Sequence, residues 1–168
     1  MFKHVELPTN ALKEVHPGTQ CEDLYFRFLE IEKSYVFDEI IVNVGTNHLR
    51  DSSWYDDDIV YEIRNLLEFL VNRTPPKTTV TFAQMLPKRG RHNKFSYIER
   101  INYIHNELDS LLEPMGIDII NYSDLGNIIG INIFDIICWD GTHLNRYGVK
   151  MVSWYLNQHL GWTSCSYS

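Results

Sequence analysis

Several common features are missing from this sequence. No apolar run approaches the roughly 20 residues that a bilayer-spanning helix needs, which argues against a helical membrane protein. The opening Met1-Phe2-Lys3-His4-Val5-Glu6 has no apolar h-region, so no secretory leader is read there. Cysteine is scarce. Cys21, Cys138 and Cys165 are odd in number and form no CxxC, a pattern that fits reduced thiols rather than a disulfide framework or zinc site. Positive charge is in deficit: 15 Lys and Arg face 22 Asp and Glu, for a formal net charge of −7. An acidic surface argues against extended binding to a nucleic-acid backbone. There is no internal repeat and no low-complexity linker. The expectation is one cytoplasmic domain over residues 1–161 with a polar tail at 162–168. Its partner is expected to be a small molecule rather than a membrane or nucleic acid, and no metal or cofactor is called for.

What is present suffices for a core: 168 residues, 44% of them hydrophobic. Residues 12–17 read as a short strand. Thr19 and Glu22 fit a capping box, and Leu24, Phe28, Ile31 and Tyr35 then recur at helical spacing, predicting a helix over 21–35. Residues 39–44 are β-branched and end at Gly45, as a buried strand does. Ser53 is placed to cap a second helix with Asp56, Asp57 and Asp58 in its first turns, where the helix dipole favours anions. Ile59, Ile63, Leu66, Leu67 and Leu70 form its apolar face and Pro75-Pro76 ends it. Residues 78–83 are the next strand and 94–113 a third helix, with Ile98, Ile101, Ile104, Leu108, Leu111 and Leu112 on one stripe. A strand over 117–122, a loop, and a last helix after Asn145 complete the chain, with Val149, Val152, Leu156 and Leu160 inward and Gly161 as C-cap. Strict alternation of apolar strands and helices predicts an α/β fold built on a parallel sheet.

In such sheets, sites form beyond the carboxyl ends of the strands. Three segments expected there carry unusual residues: His16-Pro17-Gly18, Gly45-Thr46-Asn47-His48 and Asp140-Gly141-Thr142-His143-Leu144-Asn145. Asp140, three residues before His143, can hold one imidazole nitrogen and leave the other free to accept a proton. It can equally cap a turn beside a surface histidine. Asn47 can offer its amide N–H to a developing oxyanion, or close the strand as an Asx-turn residue. Gly18 precedes a helix, so its N–H is a free donor, or it is a simple turn glycine.

In order and spacing, HPGTQCEDL, IIVNVGTNHL and DGTHLNRYG resemble blocks II, III and V of the SGNH (GDSL-like) serine hydrolases. The resemblance covers nearly the whole chain. It looks closest to the small esterase-like domains of animal genomes, including those in LINE-type retrotransposons. It implies a flavodoxin-like three-layer sandwich with five parallel strands and a small-molecule ester substrate. It also implies oxyanion donors at Gly18 and Asn47 and a catalytic pair at Asp140 and His143. His48 stands where that family often has Asp.

The family's block I, Gly-Asp-Ser at the end of the first strand, has no counterpart in the 168 residues. Met1 to Val5 resembles the stretch just after that serine, at the start of the family's first helix. The expectation is therefore a chain whose first, central strand is truncated, with no nucleophile of its own and little or no hydrolase activity. Ser52 and Ser53 come after the asparagine loop, and Ser164, Ser166 and Ser168 belong to the tail. Two other readings stand beside the hydrolase. One is a non-catalytic binding or assembly domain, for example within a retroelement protein, helped by the basic stretch Lys88-Arg89-Gly90-Arg91-His92-Asn93-Lys94. The other is metal-dependent hydrolysis by His48, His143 and Asp140.

Overall fold

The structure is a computed structural model, and it describes residues 11–13, 18–86, 94–130, 132–138, 143–159 and 161. The described elements are α1 (Cys21–Ile31), β1 (Glu39–Val42), α2 (Thr46–Arg50), α3 (Asp56–Arg73), β2 (Thr79–Ala83), α4 (Lys94–Leu112), β3 (Asp118–Ile120), α5 (Ser123–Ile129) and α6 (Arg146–His159). Two short 3-10 turns, Glu113–Met115 and Ile133–Ile136, come after α4 and α5. No described helix is long and apolar enough to cross a membrane.

The chain separates into two compact units, one of residues 17–85 and 98–120, the other of 1–16, 86–97 and 121–168. The first holds the sheet. β1, β2 and β3 lie side by side in that order, all parallel. Register runs Glu39 to Thr79 through Val42 to Phe82, then Thr81 to Asp118 through Ala83 to Ile120. Val80, Thr81, Phe82 and Ala83 are all buried, as a central strand in a covered parallel sheet must be. The chain forms the predicted α/β class on a parallel sheet, and of the five strands implied by the resemblance three are found among the described residues.

α3 supplies the largest share of this unit's core, with Ile59, Val60, Ile63, Leu66, Leu67 and Leu70 buried on one stripe. α1 packs against it through aromatic side chains: Tyr25 lies edge-on to Phe69 at 4.9 Å, and Phe28 at 6.0 Å from the same ring. Ile101, Ile104, Leu108 and Leu112 form the buried stripe of α4, while Leu111 falls outside it and is exposed. In the second unit α6 buries Val152, Tyr155 and Leu156, and packs on α5 and the Ile133–Ile136 turn.

Several expected boundaries move. Residues 11–13 are not in a strand, and 14–17 lie outside the described residues. The cap of α1 is Gln20, not Thr19: its N–H donates to Asp23 Oδ2 at 2.9 Å, one residue along from the expected pair. α1 ends at Ile31 rather than 35, where Glu32 is drawn into a forked pair with Arg73 at the end of α3. Tyr35 instead stacks on Phe37. Ser53 does not cap α3. Its hydroxyl and N–H both donate to Asp51 Oδ1, at 2.6 and 3.0 Å, and Tyr55 takes the cap position. β3 stops at Ile120 because Asn121 starts a turn into α5, its carbonyl accepting from Asp124 N–H at 3.2 Å. α2 and α5 lie where no helix was predicted. Gly161 is left-handed, and its N–H donates to Gln158 O, as expected of a helix-ending glycine. Leu160 lies outside the described residues.

Leu66 is completely buried on α3. Leu66→Ala should lower the unfolding free energy by about 2–5 kcal/mol with an unchanged denaturant slope. Urea unfolding followed by circular dichroism checks this, and a loss under about 1 kcal/mol would contradict the assigned core.

Candidate functional site

The candidate residues of the first unit lie at and beyond the carboxyl end of β1. Beyond Val42 the chain runs through Asn43 and Val44 to Gly45, which is buried with φ +112°. A side chain there would be strained, and its Cβ would stand 2.8 Å from Met85 Sδ and 3.0 Å from Ile63 Cδ1. The backbone conformation demands glycine there, and the side-chain ends of Met85 and Ile63 fill the space beside it. It opens α2, whose second residue is Asn47. Asn47 is not an Asx-turn residue. Its Nδ2 donates to Thr19 O at 2.8 Å, joining positions 28 residues apart. A side-chain amide carries two N–H donors, so one remains for another acceptor. Gly18 is exposed with φ +81°, directly before Thr19. The segments that carry the two expected oxyanion donors are therefore linked through the Thr19 carbonyl.

His48 comes next after Asn47 and is buried to 1% exposure, edge-on to Trp54 at 4.6 Å between ring centres. Its Nδ1 has no hydrogen-bond partner among the described residues. Burial pushes its pKa down, against a weaker opposite pull from Asp51 and Asp23, so the ring is neutral at neutral pH. Among the described residues no three His, Cys, Asp or Glu side chains are grouped to hold a metal.

Side chains also fix the exit of β2. Asn43 Nδ2 donates to Ala83 O at 2.8 Å and Gln84 O at 3.0 Å. Gln84 Nε2 donates to Asp109 Oδ1 at 2.9 Å. Met85 N–H donates to His105 Nε2 at 3.1 Å, which requires that nitrogen to be unprotonated. Burial pushes the His105 pKa down to about 4, which preserves that bond. Periodicity did not reveal His105 or Asn43. Both do their work by hydrogen bonding to backbone, a role that leaves no spacing pattern.

In the second unit, His143 is exposed, and its carbonyl accepts from Cys138 N–H at 2.7 Å. Leu144 bridges Ile137 in antiparallel fashion, and Asn145 N–H donates to Ile136 O at 2.9 Å. Asn145 also caps α6, its Oδ1 accepting from Gly148 N–H at 2.7 Å while its Nδ2 donates to Asp135 O at 2.6 Å. Gly148 is buried so close to Ile136 that any Cβ would collide with that residue's carbonyl oxygen. The backbone around His143 is therefore tied down on the α6 side. Asp140 lies outside the described residues, as do His16, Pro17 and residues 88–93 of the basic stretch. Cys21 does not stand in for a nucleophile. It is buried, and burial, with Glu62 nearby, pushes its thiol up to about 12, so it carries no thiolate at neutral pH.

No protein-family model matches the chain, and no curated protein matches it by sequence. Solved structures do match. An alpha/beta hydrolase enzyme from the metagenome of Lake Arreo, Spain, superposes with TM-score 0.66 at 16% identity, over 88% of this chain and 71% of that one. A protein assigned as a GDSL-like lipase from Parabacteroides merdae gives TM-score 0.69 at 13% identity, over 87% and 70%. A catalytic mutant of an acetylxylan esterase from Geobacillus stearothermophilus gives 0.65 at 13%, over 87% and 69%. The chain has the fold of these hydrolases. At such identities the likeness is one of fold alone.

Two imidazoles, His48 buried and His105 half-buried, predict the acid response. Each is held below the ordinary histidine value of 6.5 in the folded chain. Between 6.5 and the folded value, the unfolded chain binds more protons than the folded one. Stability is therefore full above pH 6.5 and falls as pH drops toward 4, with a slope approaching about 1.4 kcal/mol per pH unit for His105, and His48 adds to the fall in the same direction. Urea unfolding at pH 7, 6, 5 and 4 checks this, and His105→Gln should flatten the lower part of the curve. A flat wild-type profile over that range would contradict the two neutral rings.

Proposed function

We propose that this chain is the body of a cytoplasmic serine ester hydrolase of the SGNH kind, working on a small carboxylic ester. A serine hydroxyl attacks the ester carbonyl while His143 Nε2 takes its proton, the ring being held by Asp140 at Nδ1. Asn47 Nδ2–H and Gly18 N–H bind the oxyanion of the tetrahedral intermediate. His143 then passes the proton to the departing alcohol, and water releases the acid in a second round. The single observation behind this reading is the Asn47–Thr19 hydrogen bond. It sets an amide donor against the segment of the second proposed donor, in a chain with the fold of esterases. Short acyl esters are the natural first substrates, since one of those neighbours is an acetylxylan esterase.

The 168 residues contain no Gly-Asp-Ser. By the resemblance, the attacking serine belongs to a Gly-Asp-Ser ahead of the three blocks, and a site that lacks it should keep only a residual ~10³–10⁴-fold acceleration over water. A second reading is a non-catalytic binding or assembly domain derived from such a hydrolase, to which the basic stretch Lys88-Arg89-Gly90-Arg91-His92-Asn93-Lys94 lends support.

Adding an upstream apolar strand that ends in Gly-Asp-Ser tests both. The extended chain is expected to melt at higher temperature and to hydrolyse p-nitrophenyl acetate, with His143→Ala lowering kcat on the order of 10²–10⁴-fold. An extended chain that gains neither stability nor hydrolysis would sink the hydrolase reading. If that inert chain also bound RNA with an affinity falling steeply with salt, the binding reading would replace it.

A further inference from the structure

The helix that carries Asn47 is a single turn. One turn fixes several dihedral angles in return for few hydrogen bonds, so it does not hold itself together. Its start is set by Gly45, packed against Met85 and Ile63. Its end presents the Leu49 carbonyl, one of the groups for which a helix has no internal partner. That carbonyl faces Arg100 on α4. Arg100 Nη1 donates to Leu49 O at 3.4 Å, Nη2 to Trp54 O at 3.2 Å and Nε to Asp56 Oδ1 at 2.6 Å. Both charged side chains are mostly covered, at 28% and 27% exposure, which limits competition from water. The Trp54 so held is the ring against which buried His48 packs, and His48 is the immediate neighbour of Asn47.

We propose that Arg100 is a positioning residue for Asn47, holding α2 and its supporting tryptophan in place from α4. The proposal rests on the reading of Asn47 as the oxyanion donor, but the clamp itself is open to test without activity. A planar guanidinium reaches three acceptors at once in fixed directions, and an ammonium does not. Charge alone at position 100 is therefore insufficient.

The test is ¹⁵N NMR of the whole 168-residue chain in three forms: wild type, Arg100→Lys and Asp56→Asn. Arg100→Lys keeps the charge and loses the fork. Asp56→Asn keeps the arginine and weakens its anchor. The Leu49 amide, which donates to Gly45 O at 3.1 Å, reports α2, and the Phe82 amide in β2 reports the sheet. Both variants should speed exchange at Leu49 relative to Phe82 by roughly tenfold, the factor matching a lost charge-assisted hydrogen bond. They should also shift the Asn47 side-chain NH₂ pair. Leu49 and Asn47 responding only in step with Phe82, or not at all, would overturn the proposal and leave Arg100 a general stabiliser. The oxyanion reading is tested separately, by Asn47→Ala in the serine-extended chain. There a loss of kcat on the order of 10²–10³-fold is expected, and an unchanged kcat would overturn that reading while leaving the NMR result to stand.

Discussion

The amide of Asn47 donates to the carbonyl of Thr19, and much of the first unit is arranged so that this bond forms. The asparagine must leave β1 on a buried glycine whose φ of +112° disfavours any side chain, beside the packed ends of Met85 and Ile63. It must then sit on a helix too short to stand alone. α1 must begin where it does, so that Thr19 presents its carbonyl two residues before the helix starts. A displacement of any of these by one residue would turn the amide elsewhere. The bond is thus the point at which sheet, turn and helix start are checked against one another.

Backbone held by side chains recurs at the other ends that matter. The exit of β2 is gripped by Asn43, His105 and, through Gln84, Asp109. The backbone after His143 is held by Asn145, which spends both ends of its amide on structure. Most of these groups are polar and partly buried, where leaving a donor or acceptor unmet costs about 1–3 kcal/mol. Segments beyond strand ends have no ladder to satisfy them. Amide and imidazole side chains satisfy them instead, and that makes such segments rigid enough to carry chemistry.

The α/β class, the three strands and the apolar faces of α3, α4 and α6 were legible in the sequence. Each rests on a repeated spacing of apolar residues, and burial follows it in the main, although on α4 Leu111 is exposed and Ile98 only half-buried, and on α6 Val149 is half-buried too. What was not legible came from single choices between near-equal partners. Asp23 rather than Glu22 closes the cap of α1, which moves the cap from Thr19 to Gln20. Ser53 finds Asp51 before it can cap α3. α2 and α5 are too short to show a period, so their existence depends on tertiary contacts such as those of Arg100. Of the candidate segments, Gly45-Thr46-Asn47-His48 was expected beyond a strand end from its glycine and its place in the chain, and it lies beyond β1. The Asn47–Thr19 pairing was not, since it depends on a fold the local sequence does not specify.

The central proposal is that Asn47 and Gly18 form an oxyanion pocket. It is tested most directly by trapping the serine-extended chain with a phosphonate ester and solving the structure of the adduct. The account predicts one phosphoryl oxygen at ~3 Å from both Asn47 Nδ2 and Gly18 N, the range for donors aimed at an oxyanion. A phosphoryl oxygen turned away from both, with Asn47 still bound only to Thr19, would contradict it.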